Sequence, residues 1–230
     1  MSVLEEIALR QSILYGGVAL GALFALIYAA VFCHRPASWP KTLVKAVPML
    51  AFAAAGMVNF ADPLVIAALV LSAIGDVALS REGQRAFLSG LVAFALAHLL
   101  YVILFMGLRP DDAGGLPPLL PTLALLALAL STEIWLTPHA GALRGAVRVY
   151  VLLITAMGLA ALSLPEGRGL AVLGALAFIL SDAILALQRF RMADTSRWQV
   201  PASVALWLLY AGGQAAILLG AGFARPIFHL

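Results

Sequence analysis

PLVIAALVLSAIGDVALS at 63–80 and GLAVLGALAFILSDAILALQ at 169–188 decide how this chain is read, because each is an apolar run of membrane length with a single aspartate in it. At 1.5 Å per helical residue, about 20 such residues cross roughly 30 Å of hydrocarbon. A carboxylate inside such a helix costs roughly 2.5 to 3.5 kcal/mol on insertion scales, so Asp76 and Asp182 in matching positions point to a function rather than to drift. The plainer reading is a buried hydrogen-bond or ion-pair cluster that fixes helix packing.

Runs of the same kind recur along the chain, at 12–32, 42–60, 63–80, 86–107, 117–136, 145–164, 169–188 and 199–220. With 63% hydrophobic and only 11% charged residues, a soluble globule with a wettable surface is excluded. The expected fold class is therefore all-α: an integral-membrane bundle of eight transmembrane helices, with residues 1–230 forming one polytopic domain. The connections HRPASWPK, SREGQR, LRPDDAGGLPP, TPHAGALRG, LPEGRG and RFRMADTSRW are polar or rich in Gly and Pro, and none is long enough to hold a soluble domain. The first run follows Glu5 and Glu6 rather than a basic n-region, so it is expected to be a retained helix. Cys33 is the sole cysteine and forms no intrachain disulfide.

The net charge of +3 is spread through short loops, without a basic face or aromatic platform, so no nucleic-acid partner is expected. Its use is topological. Arg35, Lys41, Lys45, Arg81, Arg85, Arg144, Arg148, Arg189, Arg191 and Arg197 fall at the odd-numbered loops, against Arg10, Arg109, Arg168 and Arg225 elsewhere. The positive-inside rule then places both termini on the non-cytoplasmic side, with location in the cytoplasmic (inner) membrane if the source is bacterial. Helices three and seven run in the same direction, with their aspartates at a shared depth about one turn from the cytoplasmic ends. Superposing LSAIGDVAL at 71–79 on AFILSDAIL at 177–185 suggests a parallel 4+4 repeat, although Ala and Leu content inflates such matches.

Helical rise adds Lys45, Glu133 and Tyr150 to the same layer. Lys45 either snorkels to headgroups or pairs with a buried acid, and Glu133 sits close enough to a helix end to be interfacial. Ser72 lies one turn before Asp76 on one face, within reach of a hydrogen bond to its carboxyl group, while Ser181 adjoins Asp182 but points elsewhere. Deeper, His98 and Tyr101 share one face, and Tyr210 and Gln214 another. These are candidates to line the inner part of a cavity or, more plainly, to bridge helices.

KTLVKAVPM at 41–49, SAIGDVALS at 72–80, FLSGLVAFALAHLLYVILF at 87–105, GALAFILSDAILALQRF at 174–190 and LYAGGQAAILLG at 209–220 together form a pattern. In these segments the chain resembles the YhhN-type lysoplasmalogenases, a family that includes mammalian transmembrane members. The segments occur in order over most of the chain, while any one alone is unspecific in an Ala- and Leu-rich membrane protein. The resemblance implies cleavage of the vinyl-ether bond of lysoplasmalogens to a fatty aldehyde and glycerophosphoethanolamine or glycerophosphocholine. That chemistry needs a general acid to protonate the vinyl carbon and a base for the water that adds to the oxocarbenium ion. Two neighbouring carboxyl groups in a low dielectric resist ionising together, so one keeps its proton while the other is charged. Asp76 and Asp182 are the expected partners, with the roles unassigned, and Lys45 or Tyr150 would tune them or meet the phosphate side of the substrate.

The sequence has no HExxH, no paired His and Cys ligand set and no Gly-rich phosphate loop, so no metal or other cofactor is called for. The absence of a GxSxG elbow disfavours a serine lipase. The expected partners are a lysophospholipid substrate and membrane lipids, with oligomeric state left open. A proton-coupled transporter or lipid carrier using the same aspartates is the alternative, which helix breaks at Gly75 or at Gly212 and Gly213 would favour.

Overall fold

The computed structural model describes residues 2–109 and 117–224. The middle of the LRPDDAGGLPP connection and Arg225, which entered the topology argument, lie outside the described residues. Eight α-helices follow one another: α1 (Val3–Ile27), α2 (Trp39–Val58), α3 (Pro63–Leu79), α4 (Gln84–Gly107), α5 (Leu119–Trp135), α6 (Arg144–Leu162), α7 (Gly169–Phe190) and α8 (Gln199–Ala221). Among the described residues there is no strand. Seven of the helical segments are long and apolar enough to cross a membrane, and α3, with 17 residues, is the shorter eighth. The chain is an integral-membrane helical bundle.

Local chemistry sets the ends of these helices. Asp62 caps α3 by accepting from the Leu64 N–H at 2.8 Å, and Pro63 occupies the first turn, where no N–H is missed. Ser38 caps α2 in the same way through the Lys41 N–H. The first helix begins at Val3 rather than at residue 12, because Ser2 and Glu5 form a reciprocal capping box and Arg10 pairs with Glu6 one turn earlier. At its other end α1 runs into a π-helical turn, Tyr28–Phe32, which buries Tyr28. Gly83, at φ +101°, makes the left-handed turn between α3 and α4.

Consecutive helices pack from α1 to α4, α4 then packs on α6, α6 on α7 and α7 on α8, and α8 returns to α1, α2 and α3. The bundle is thereby closed, with α5 resting on α6. The α7–α8 seam is the closest. A Cβ on Gly213 would stand 2.7 Å from the Gly174 carbonyl oxygen, and one on Gly174 equally close to that of Gly213. Such small-residue contacts are how helices associate in lipid, where apolar surface gains little by leaving hydrocarbon.

At one end of the bundle the Asp62 N–H donates to the Gly222 carbonyl at 2.7 Å. At the same end Arg168 donates to the carbonyls of Gly220, Phe223 and Ala224, closing the open C-terminus of α8. The start of α1 lies there too, since Arg10 reaches the Val58 carbonyl at the end of α2. The other end carries the α1–α2, α3–α4, α5–α6 and α7–α8 turns, and with them the basic cluster.

Candidate active site

Near that basic end, Asp76 projects from α3 with only 2% of its side chain exposed. Tyr210 of α8 donates to its Oδ2 at 2.7 Å, and the Lys45 ammonium of α2 stands 3.4 Å from its Oδ1. Lys45 also lies about 6 Å above the rings of Tyr28 and Trp207 (6.0 and 5.8 Å), so two aromatic faces help hold its charge inside the bundle. The snorkelling alternative for Lys45 does not describe this geometry. Trp207 is fixed by donating to the Ala25 carbonyl at 2.8 Å, which ties α8 to α1 just before its π turn.

Asp182 of α7 has a second set of partners. Tyr150 of α6 donates to its Oδ2 at 2.5 Å, and His98 Nε2 of α4 lies 3.3 Å from the same oxygen and 3.0 Å from the Tyr150 hydroxyl. His98 Nδ1 is buried with no partner, so the tautomer with its proton on Nε2 avoids an unpaired buried N–H. Both contacts converge on Oδ2 and leave Oδ1 unengaged among the described residues.

The two acids line one cavity of about 350 Å³, whose walls include Lys45, Ser181, Trp207 and Tyr210 and whose mouth carries Arg81, Glu82 and Arg189. Asp182 and Tyr150 also stand in the wall of a narrower apolar slot of about 90 Å³ between α4, α5, α6 and α7, lined by residues such as Leu125, Leu128 and Ile179. Leu79, Phe87, Phe94 and Leu185 border both spaces, so the slot and the cavity adjoin at Asp182. Among the described residues no group of three His, Cys, Asp or Glu side chains converges as a metal site.

Several expectations are changed. Asp76 is within one turn of the end of α3 at Leu79, but Asp182 is more than two turns from the end of α7 at Phe190, because α7 runs on past the acids to the cavity mouth, where it carries Arg189. The Ser72 hydroxyl accepts from Gln214 Nε2 at 2.8 Å instead of reaching Asp76, and Tyr101 donates to Gln214 Oε1. Ser72, His98, Tyr101 and Gln214 border neither space. They form a buried polar layer behind it, in which Gln214 links Tyr101 to Ser72 while His98 reaches Asp182 and Tyr150 through Nε2. Glu133 faces away, in a bidentate pair with Arg148 at 2.7 Å. Tyr28, Phe94, Trp207, Arg81 and Arg189 were not singled out from the sequence as site residues, because aromatic residues and loop cations are abundant in any membrane protein and only their convergence marks them.

Residues 40–221 match the YhhN family. A lysoplasmalogenase of Mycobacterium tuberculosis (strain CDC 1551 / Oshkosh) is 29% identical over 166 residues, covering 71% of this chain and 62% of that protein. The human lysoplasmalogenase TMEM86A is 32% identical over 84% of this chain and 82% of its own length. Human lysoplasmalogenase TMEM86B is 36% identical over 73% of each chain. The match thus spans less than two thirds of the mycobacterial relative and most of the human ones. No solved structure matches. With the family pattern running over most of its length and through every helix that builds the two-acid cavity, the chain belongs to the YhhN family.

Proposed function

We propose that this protein hydrolyses the vinyl-ether bond of lysoplasmalogens, releasing a fatty aldehyde and glycerophosphoethanolamine or glycerophosphocholine. The observation that carries the reading is the position of Asp182, in the wall shared by an apolar slot and a polar cavity that also holds Asp76. A single-chain lipid is apolar on one side of its vinyl ether and polar on the other, so the slot takes the alkenyl chain and the cavity the glycerol side. The names of the relatives support the same substrate class.

In this reading Asp182 is the acid. Its proton moves to the vinyl carbon not bonded to oxygen, the π pair forms the new C–H bond, and the adjacent carbon becomes an oxocarbenium ion. Water adds through an oxygen lone pair and Asp76, kept as a carboxylate beside Lys45, takes the proton, leaving a hemiacetal. The bond to the glycerol oxygen then breaks with its electron pair going to that oxygen, which receives the proton held by Asp76. The hemiacetal hydroxyl returns its proton to Asp182 as the aldehyde forms. Both carboxyl groups regain their starting states, and one water is consumed.

The test is aldehyde release from lysoplasmenyl lipids by purified protein, compared with Asp76→Asn and Asp182→Asn at matched folded yield. Each variant is expected to lose on the order of 10²-fold or more, the scale of general acid–base catalysis. A folded wild type that releases no aldehyde from either headgroup class would overturn the reading. The carrier alternative draws no support from helix breaks, since α3 runs through Gly75 and α8 through Gly212 and Gly213 without interruption.

A further inference from the structure

The cations at the mouth of the cavity have no part in the proton transfers proposed above. The Arg81 guanidinium carbon lies 4.0 Å from the centroid of the Trp39 ring, and that of Arg189 5.2 Å from the centroid of Phe87. Cation–π contact of this kind helps hold a guanidinium in place while leaving N–H groups available. Among the described residues neither arginine is paired with a carboxylate, whereas Arg10 and Arg148 are. Arg81 Nη2 is buried and has no hydrogen-bond partner, a state that ordinarily costs the full desolvation of the donor. Two guanidinium groups at one cavity mouth, one with an unsatisfied buried donor, fit a bidentate oxyanion.

We propose that Arg81 and Arg189 form the subsite for the phosphodiester of the lysophospholipid headgroup, with Glu82 in the same wall placed to meet its ammonium group. This assignment rests on the lysoplasmalogen reading and extends it to the headgroup. Arg81 follows Asp76 by five residues and stands just past the end of α3 at Leu79, on the mouth side of the acid, where the three-carbon glycerol backbone leads from vinyl ether to phosphodiester. Lys45, the third cation on the cavity wall, is already engaged by Asp76. The basic turns at this end therefore do more than set topology: two of their arginines recognise substrate.

Two measurements separate failure of the subsite from failure of the reading beneath it. The first is the ratio of kcat/KM for lysoplasmenylethanolamine to that for 1-alkenylglycerol, which has the same scissile bond and no phosphate. Arg81→Gln and Arg189→Gln are each expected to lower this ratio at least tenfold, through KM, and Arg81→Lys to restore part of it. A parallel fall for both substrates, or an unchanged ratio, would overturn the subsite while leaving the hydrolase standing.

The second is equilibrium binding of the non-hydrolysable 1-O-alkyl lysophosphoethanolamine, with inorganic phosphate and glycerophosphoethanolamine as competitors. Binding weakened at least tenfold in both Gln variants supports the subsite even if no aldehyde is released. Competition by glycerophosphoethanolamine alone identifies the lipid headgroup, and equal competition by phosphate identifies a general phosphate site and overturns the headgroup assignment. Binding that ignores both substitutions overturns the subsite.

Discussion

Asp76 is almost fully buried with one cation beside it, and the free energy of that arrangement belongs to the pair rather than to either residue. Lys45→Met would leave the carboxylate with Tyr210 alone. We expect a clear drop in melting temperature, corresponding to about 3 kcal/mol or more, and aldehyde release reduced over tenfold. Lys45→Met/Asp76→Asn should recover much of the stability and none of the activity. A single variant that melts like wild type would mean that Lys45 lies at the headgroups instead. That Asp76 and Asp182 come together inside the bundle, on one cavity, was legible in the sequence, because ionisable groups are expensive in hydrocarbon and stand out against it. The partners of Asp182 were less so: helical spacing paired His98 with Tyr101 along one face, but the partners of His98 come from α6 and α7, and only tertiary packing brings them together.

Helices were read correctly where length and apolarity alone decide them, as for α4 and α8. The start of α1 was misplaced because the polar turn around Glu5, Glu6 and Arg10 reads as a flank, yet capping and the i,i+4 pair keep it helical. The π turn at Tyr28–Phe32 has no local sequence signature, and the packing of Tyr28 on Trp207, with ring centroids 4.4 Å apart, accompanies it. Gly212 and Gly213 read alike in the sequence, as possible breaks, and the structure separates them. A Cβ on Gly212 meets nothing within 4 Å, while one on Gly213 meets the backbone of α7. Gly213→Val is therefore expected to cost roughly 1 to 3 kcal/mol by overpacking, seen as a lower melting temperature in detergent, with Gly212→Ala close to wild type. Equal melting of the two variants would show that the seam tolerates separation.

Across the whole molecule the two acids occupy corresponding places. Each sits on the third helix of its half and is held by a residue from the second helix of the same half, Lys45 or Tyr150, and by a ring from the fourth helix of the other, Tyr210 or His98. A parallel 4+4 repeat would generate this exchange, and the sequence hinted at it only through two nine-residue segments. The partners themselves differ: one acid has a lysine and a tyrosine, the other a tyrosine and a histidine. That difference is the basis for giving Asp76 and Asp182 unlike roles. The most direct test of the central claim is hydrolysis of a lysoplasmenyl lipid in D₂O containing H₂¹⁸O, with the aldehyde trapped by reduction as it forms. Proton transfer to carbon followed by water addition predicts one deuterium on the carbon next to the aldehyde and no ¹⁸O in the released glycerophospho-product. Label in the glycerophospho-product, or an aldehyde without that deuterium, would contradict the paired-acid account.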